Sequence, residues 1–224
     1  MVPWIQLAST TVPGDGSEMR LLRRGAEFSI RVGTSELMNS RIYGSEDSLS
    51  RLACERIADR DRARVLVGGL GMGFTLAGVL SRVGRKATVV VAELVPAVVK
   101  WNRVEMAEVN GAALEDARVV VRENDVGNII RTEKDTYDAI LLDVDNGPSA
   151  LTSRKNDRLY NAAGLSAAYA SLRPRGILAV WSASSDPAFT RRLKRAGFES
   201  EEVRVRARGR AGGSRYLVWV AQRG

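Results

Sequence analysis

The stretch VLVGGLGMGFTL, residues 65–76, contains a short apolar run, then glycines at 69, 71 and 73, and then residues compatible with a helix. An apolar run of this length predicts a strand buried at the centre of a sheet. Glycine after such a strand permits tight turns and close approach of a ligand to the backbone. The spacing of Gly69, Gly71 and Gly73 is G-x-G-x-G rather than the G-x-G-x-x-G of dinucleotide sites. The loop is therefore consistent with either a ligand cradle or a tight turn.

From residue 63 onward, strand patterns alternate with helix patterns, and the chain ends in two further strands that form a hairpin. Such alternation predicts an α/β fold with a doubly wound, mostly parallel, seven-stranded sheet. The segments 27–32 and 34–40 alternate apolar and polar residues instead, which predicts a small antiparallel meander. We therefore expect an N-terminal β segment over 1–44 and a nucleoside-binding domain over 45–224. Ser45 is expected to cap a helix over 46–59.

Composition excludes several classes of protein. The chain of 224 residues has one cysteine and no histidine, which excludes a histidine-based triad and an internal disulfide and predicts no metal site. No long apolar run or basic leader is present, so we expect a cytoplasmic protein with no membrane partner. The net charge is +8, but the arginines are scattered, and the alternating arginines of 204–215 fit a solvated hairpin face. The charge therefore does not predict a nucleic-acid partner.

Two acids follow the next two predicted strands. Glu93 ends the strand after the glycine loop, where a carboxylate can accept hydrogen bonds from both hydroxyls of a ribose. Asp125 follows the third strand, where it can bind an adenine amino group, cap a helix, or do both. Together with the loop, these acids predict an adenosine site.

At these motifs the sequence resembles the spermidine synthase (polyamine aminopropyltransferase) group, which has the class I S-adenosylmethionine-dependent methyltransferase fold. VLVGGLGMGFTLAGVL is similar to VL-x-x-GGGDGG-TL-x-x-VL of that group, and YDAILLDVDNGPSAL is similar to YD-x-I-x-x-D-x-x-D-P-x-GP. The resemblance covers residues 25–182. It places Gly69, Gly71, Gly73, Glu93 and Asp125 at the cofactor, and Asp143 at the first aspartate of the catalytic loop.

The sequence departs from the group at several positions. Met72 stands where the group has an aspartate that contacts the amino end of its decarboxylated donor. The compressed DVDNGP leaves Asp145 or Asn146 as the second catalytic residue. Glu46 matches the last acid of the group's D-E-x-x-Y-H/Q-E segment, whereas the overall basic charge does not suit a polycationic substrate.

The resemblance implies a transferase that uses S-adenosylmethionine or decarboxylated S-adenosylmethionine and moves a methyl or aminopropyl group to a small amine-containing acceptor. Asp143 would bind and orient the amine, or it would merely cap the DNGP turn. Tyr160 and Trp181 are expected either to wall the acceptor pocket or to pack in the core. The resemblance also implies a homodimer formed through the N-terminal strands.

Two other functions compete with the transferase. One is a noncatalytic nucleoside-binding scaffold, for which Met72 and the compressed loop are the reason. The other is a dinucleotide-binding oxidoreductase, which the glycine spacing and the C-terminal hairpin disfavour.

Overall fold

A computed structural model describes residues 2–14, 16–144, 147–148, 157–207 and 213–224. The N-terminal strands are β1 Ile5–Thr11, β2 Glu18–Arg24, β3 Glu27–Val32 and β4 Ser35–Asn39. The following elements are α1 Gly44–Cys54, β5 Arg64–Gly68, α2 Phe74–Leu80, β6 Thr88–Glu93, α3 Pro96–Arg103, β7 Val119–Glu123, α4 Val126–Thr132 and β8 Tyr137–Leu142. The C-terminal elements are α5 Asp157–Tyr160, α6 Ala162–Ser171, β9 Leu172–Ser182, α7 Pro187–Arg195, β10 Phe198–Arg206 and β11 Arg215–Arg223.

The strands form two sheets. The seven-stranded sheet has the order β10-β11-β9-β8-β5-β6-β7. The five strands β9, β8, β5, β6 and β7 are parallel to one another. β11 is antiparallel to both β9 and β10, so the C-terminal hairpin extends the parallel sheet as predicted. The N-terminal segment forms a four-stranded antiparallel sheet, β1-β2-β3-β4, which is larger than the meander expected from 27–40.

Two apolar cores cover the two faces of the large sheet. On one face, α1, α2 and α3 pack together with part of the N-terminal sheet. On the other face, α4, α6 and α7 cover the strands. β8 is buried along its whole length, as expected for a central strand with helices on both sides. This is the doubly wound arrangement predicted from the alternation.

The start of α1 differs from the prediction. The helix begins at Gly44 and its N-cap is Tyr43, which provides no side-chain cap. Ser45 lies inside the first turn and donates a hydrogen bond from its hydroxyl to Glu46 Oε2 at 2.6 Å, so the prediction that Ser45 is the cap was wrong. The helix also ends at Cys54 and continues only as a short 3₁₀ turn over Glu55–Ile57.

Candidate active site

One cavity of about 720 Å³ lies at the carboxyl edge of the large sheet. The predicted site residues that line it are Gly69, Gly71, Glu93, Asp125 and Asp143. Residues from the N-terminal sheet and from the start of α1 complete the wall. The cavity therefore brings together the glycine loop and the three acids that follow β6, β7 and β8. Asp145 and Asn146 lie outside the described residues.

The glycine loop needs glycine because its backbone is left-handed. Gly69, Gly71 and Gly73 have φ of 86°, 52° and 81°. A Cβ at Gly69 would lie 2.5 Å from the carbonyl oxygen of Asp143, so the loop packs tightly on the end of β8. Gly73 is the N-cap of α2 and does not line the cavity, although its turn shapes the loop.

Two buried asparagines hold this loop in place. Asn102 donates from Nδ2 to the carbonyl oxygen of Gly71 at 2.8 Å, and Asn110 donates from Nδ2 to that of Met72 at 2.9 Å. Asn110 also donates to Oδ1 of Asn102 at 2.7 Å. Because these amides bond loop carbonyls, they restrict the loop to one conformation. Sequence reasoning missed both asparagines, since neither belongs to a recognisable motif.

Glu93 connects the glycine loop to the start of α3. Its Oε2 accepts a hydrogen bond from the backbone N–H of Leu70 at 2.9 Å, and its Oε1 accepts one from Val95 at 2.8 Å. Burial raises the pKa of Glu93, while these backbone hydrogen bonds act in the opposite direction. The backbone N–H groups of Leu94 and Gly71 also hydrogen-bond this carboxylate, which lines the cavity.

Asp125 has one of the two roles considered from the sequence, that of a helix cap. It is the N-cap of α4, and its Oδ1 accepts a hydrogen bond from the backbone N–H of Asn128 at 3.2 Å. It also lines the cavity together with its neighbour Asn124. The capping bond fixes the carboxylate at the cavity edge and leaves its other oxygen available to a ligand.

Asp143 and Glu46 form an acidic pair in the middle of the cavity wall. Burial raises the pKa of Asp143, although a 2.6 Å hydrogen bond from the Thr75 hydroxyl lowers it in part. Burial and the nearby charge of Asp143 raise the pKa of Glu46 to about 7, against the hydrogen bond from Ser45. Two neighbouring carboxylates that both resist ionisation favour a bound proton or a nearby cation.

The cavity is acidic although the chain is basic. Its described lining contains five carboxylates and no lysine or arginine, namely Glu36, Glu46, Glu93, Asp125 and Asp143. The arrangement therefore suits a ligand that carries positive charge, such as a sulfonium or an ammonium group.

The remaining candidate residues divide between cavity and core. Trp181 lines the cavity, which is one of the two positions considered for it from the sequence. Tyr160 is buried and makes an edge contact with Phe189, so it packs in the core. Met72 is fully buried in the core that contains α1, α2 and α3, and it does not line the cavity. The position of the resembled group's donor-binding aspartate is thus occupied by a core side chain.

The strand order, the antiparallel β11 and the glycine loop after β5 define a class I methyltransferase fold. No protein-family model and no curated protein sequence matches the chain. Among solved structures, the spermidine synthase from Thermotoga maritima is 15% identical over 98% of this chain and 73% of its own, with a TM-score of 0.74.

Two further structures contain ligands. A spermidine synthase in complex with the transition state analogue AdoDATO is 15% identical over 98% of this chain and 72% of its own, with a TM-score of 0.73. The 1,6-didemethyltoxoflavin-N1-methyltransferase of Burkholderia thailandensis, with bound 1,6-didemethyltoxoflavin and S-adenosylhomocysteine, is 22% identical over 80% of this chain and 78% of its own, with a TM-score of 0.56. At these identities the likeness shows the fold, and it confirms that the chain has the spermidine synthase-like form of the methyltransferase fold.

Among the described residues, no helix is both long and apolar enough to cross a bilayer.

Proposed function

We propose that this chain is a transferase that binds S-adenosylmethionine or its decarboxylated form and moves a methyl or aminopropyl group to a small amine-containing acceptor. The observation that carries the proposal is that Gly69, Glu93, Asp125 and Asp143 line one cavity. The fold supports it, because two structures of the same fold hold AdoDATO and S-adenosylhomocysteine.

In this proposal the donor lies across the ends of β5, β6 and β7. The backbone of Gly69 and Gly71 passes under the donor, Glu93 accepts hydrogen bonds from the ribose hydroxyls, and Asp125 binds the adenine amino group. No described lysine or arginine lines the cavity, so the donor's sulfonium meets only acidic or neutral groups.

The acceptor amine lies against Asp143, with Asp145 proposed as a second catalytic residue. The amine nitrogen forms a bond to the transferred carbon, the bond from that carbon to sulfur breaks, and its electron pair goes to sulfur, which leaves as a neutral thioether. Before this step the bound ammonium gives up one proton to a carboxylate of the cavity, because only the neutral amine has the lone pair that attacks, and the product leaves as an ammonium. An alkylamine has a pKa near 10, well above that of a carboxyl, so Asp143 acts mainly by binding and orienting the nitrogen. Its raised pKa makes it a better proton acceptor than an exposed aspartate.

A second candidate is a noncatalytic nucleoside-binding scaffold. The burial of Met72 favours it, because the residue at that position offers the donor no polar contact. Donor binding without turnover in the presence of amines is the result that this candidate predicts.

Isothermal titration calorimetry with S-adenosylmethionine, its decarboxylated form, methylthioadenosine and NAD tests the donor site. We expect binding of at least one adenosine sulfonium compound, and weaker binding by at least tenfold in Glu93→Gln, which replaces a buried charge-assisted acceptor. Glu123→Gln is the matched control, because Glu123 pairs with Glu93 in register but is exposed and lies outside the cavity. Binding of NAD alone would refute the proposal.

A further inference from the structure

Asp143 separates the half of the cavity proposed for the donor, at the ends of β5, β6 and β7, from a second half beside β9 and β11. This second half, the acceptor half, has an aromatic wall. In the parallel pairing of β8 and β9, Leu142 lies opposite Val180, so the next residues, Asp143 just after β8 and Trp181 near the end of β9, lie side by side. Side chains alternate along strands, and Asp143 and Trp181 thus point to the same face of the sheet. That face carries α1 and the N-terminal sheet.

Tyr216 of β11 completes this wall. Val218 pairs with Trp181, and Tyr216 lies two residues earlier on the same strand face. The rings of Trp181 and Tyr216 have centroids 5.0 Å apart and are tilted by 44°. Within the described residues, three lining residues come from β9, β11 and the loop after β9. They are Trp181, Ala183 and Tyr216, and none of them is charged. This part of the cavity is therefore aromatic and uncharged, with the Tyr216 hydroxyl and the Trp181 Nε1–H, which has no described partner, as its polar groups.

The acids lie at one end of this wall. The backbone N–H of Gly44 donates to the carbonyl oxygen of Ala207 at 2.8 Å, which places the first turn of α1 beside the end of β10. The helix then packs across β8, β9 and β11. Glu46 in that first turn consequently faces the acceptor half of the cavity, close enough to Asp143 for their charges to interact.

We propose that the acceptor is an amine carried on an aromatic ring, such as an arylalkylamine, with its nitrogen at Asp143 and Glu46 and its ring against Trp181 and Tyr216. This inference rests on the proposed transferase function. The nitrogen would receive the methyl or aminopropyl carbon as described above, and the released proton would pass to Asp143 or Glu46.

The same geometry disfavours a linear diamine. A second ammonium placed beyond Asp143 would exchange its water for Trp181, Ala183 and Tyr216, and cation–π attraction to the two rings offsets only part of that cost, with no described carboxylate from these strands beside them. An aromatic ring has no such cost there, and it gains offset or edge contacts with both side chains.

The test compares three amines as acceptors for the same donor, with products identified by mass spectrometry: phenethylamine, ethylamine and putrescine. We expect phenethylamine to have the highest kcat/KM with the unaltered protein. In Trp181→Ala, kcat/KM for phenethylamine should fall about tenfold more than that for ethylamine, because only phenethylamine has a ring to lose contact. Trp181→Phe, which retains a ring, should recover most of the difference. Tyr43→Ala is the matched control, since Tyr43 is exposed, stacks on Phe74 and lies outside this cavity.

A higher kcat/KM for putrescine than for phenethylamine would overturn the inference while leaving the transferase intact. Equal losses for phenethylamine and ethylamine in Trp181→Ala would also overturn it. Absence of donor binding in the calorimetry would instead refute the proposed function, and this inference with it.

Discussion

The hydroxyl of Thr75 donates a 2.6 Å hydrogen bond to Oδ2 of Asp143, which connects the first turn of α2 to the end of β8. Thr75 is buried, so water does not compete for this bond. The bond both fixes the rotamer of Asp143 and favours its ionised form. The same element that follows the glycine loop therefore controls the carboxylate proposed to bind the acceptor.

Thr75→Val removes this donor while preserving side-chain shape. Because the hydrogen bond lowers the pKa of Asp143, its loss should raise that pKa and move the acidic limb of the pH profile of kcat/KM to higher pH. We expect kcat/KM to fall roughly tenfold at neutral pH, in line with an unsatisfied buried acceptor. Steady-state assays across pH measure both effects, and Thr75→Ser should restore the original profile. A fall without any shift of the profile would show that Thr75 has only a packing role.

Gly69→Ala should disrupt the contact between the glycine loop and β8. The new Cβ would lie 2.5 Å from the carbonyl oxygen of Asp143 in addition to adopting an unfavourable φ of 86°. Gly33→Ala is the matched control, because Gly33 also has a positive φ of 56° but has open space around a Cβ. We expect Gly33→Ala to lower the free energy of unfolding by about 1–2 kcal/mol, and Gly69→Ala by about 3–5 kcal/mol. Urea unfolding measures both values, and equal losses would contradict the close approach.

Glu46→Gln should stabilise the protein at alkaline pH. The pKa of Glu46 is raised to about 7 from the ordinary 4.5 of a glutamate, so between these two pH values the folded state keeps a proton that the unfolded state has lost. Stability therefore falls as pH rises from about 4.5 to 7 and levels off above that range. Glutamine carries no charge and avoids this loss, which predicts a gain on the order of 2 kcal/mol at pH 8 and none at pH 4.

Thermal unfolding at pH 4 and pH 8 measures this difference. Glu36→Gln is the comparison variant, because Glu36 lines the same cavity but its pKa is shifted in the opposite direction. Burial acts to raise the pKa of Glu36, but hydrogen bonds from Asn39 and Ser29 and the charge of Arg31 outweigh it, and the pKa is lowered. Its charged form is thus favoured by the fold, and Glu36→Gln should destabilise the protein at pH 8. The same response in both variants would refute the interpretation of the Glu46 carboxyl.

The positions of Glu93, Asp125 and Asp143 could be predicted from sequence because each lies at or just beyond the end of a strand. Glu93 ends β6, Asp143 directly follows β8, and Asp125 lies two residues beyond β7, and parallel strands bring their carboxyl ends to one edge. The rest of the acceptor half was much harder to predict. Glu46 and Met38 reach the cavity from α1 and β4, and their position depends on packing between distant parts of the chain.

Local sequence rules also failed where tertiary contacts outweighed them. Ser45 has the residue type of an N-cap, but the helix starts two residues earlier, where the backbone N–H of Gly44 bonds the carbonyl oxygen of Ala207, and Ser45 lies in the first turn. Asn102 and Asn110 carry no motif, because their function is to bond carbonyl groups of a loop about thirty residues away.

Asp138→Asn should destabilise the fold without altering the donor site. Asp138 is buried at the start of β8, the opposite end from Asp143, and accepts hydrogen bonds from Arg60 at 3.1 Å, Arg173 at 2.8 Å and the backbone N–H of Arg64 at 2.7 Å. Removing its charge weakens the hydrogen bonds from two partly exposed arginines, of which Arg60 keeps its bond to the carbonyl oxygen of Pro174, and this predicts a loss of about 2–3 kcal/mol in the free energy of unfolding. Asp61→Asn breaks an exposed pair with Lys86 and should cost about 1 kcal/mol or less.

Urea unfolding gives both energies, and donor titration of folded Asp138→Asn should return the unaltered Kd. A higher Kd in that variant would mean that the ion cluster around Asp138 at one end of β8 affects donor binding at the other end. The shape of the cavity would then depend on that cluster.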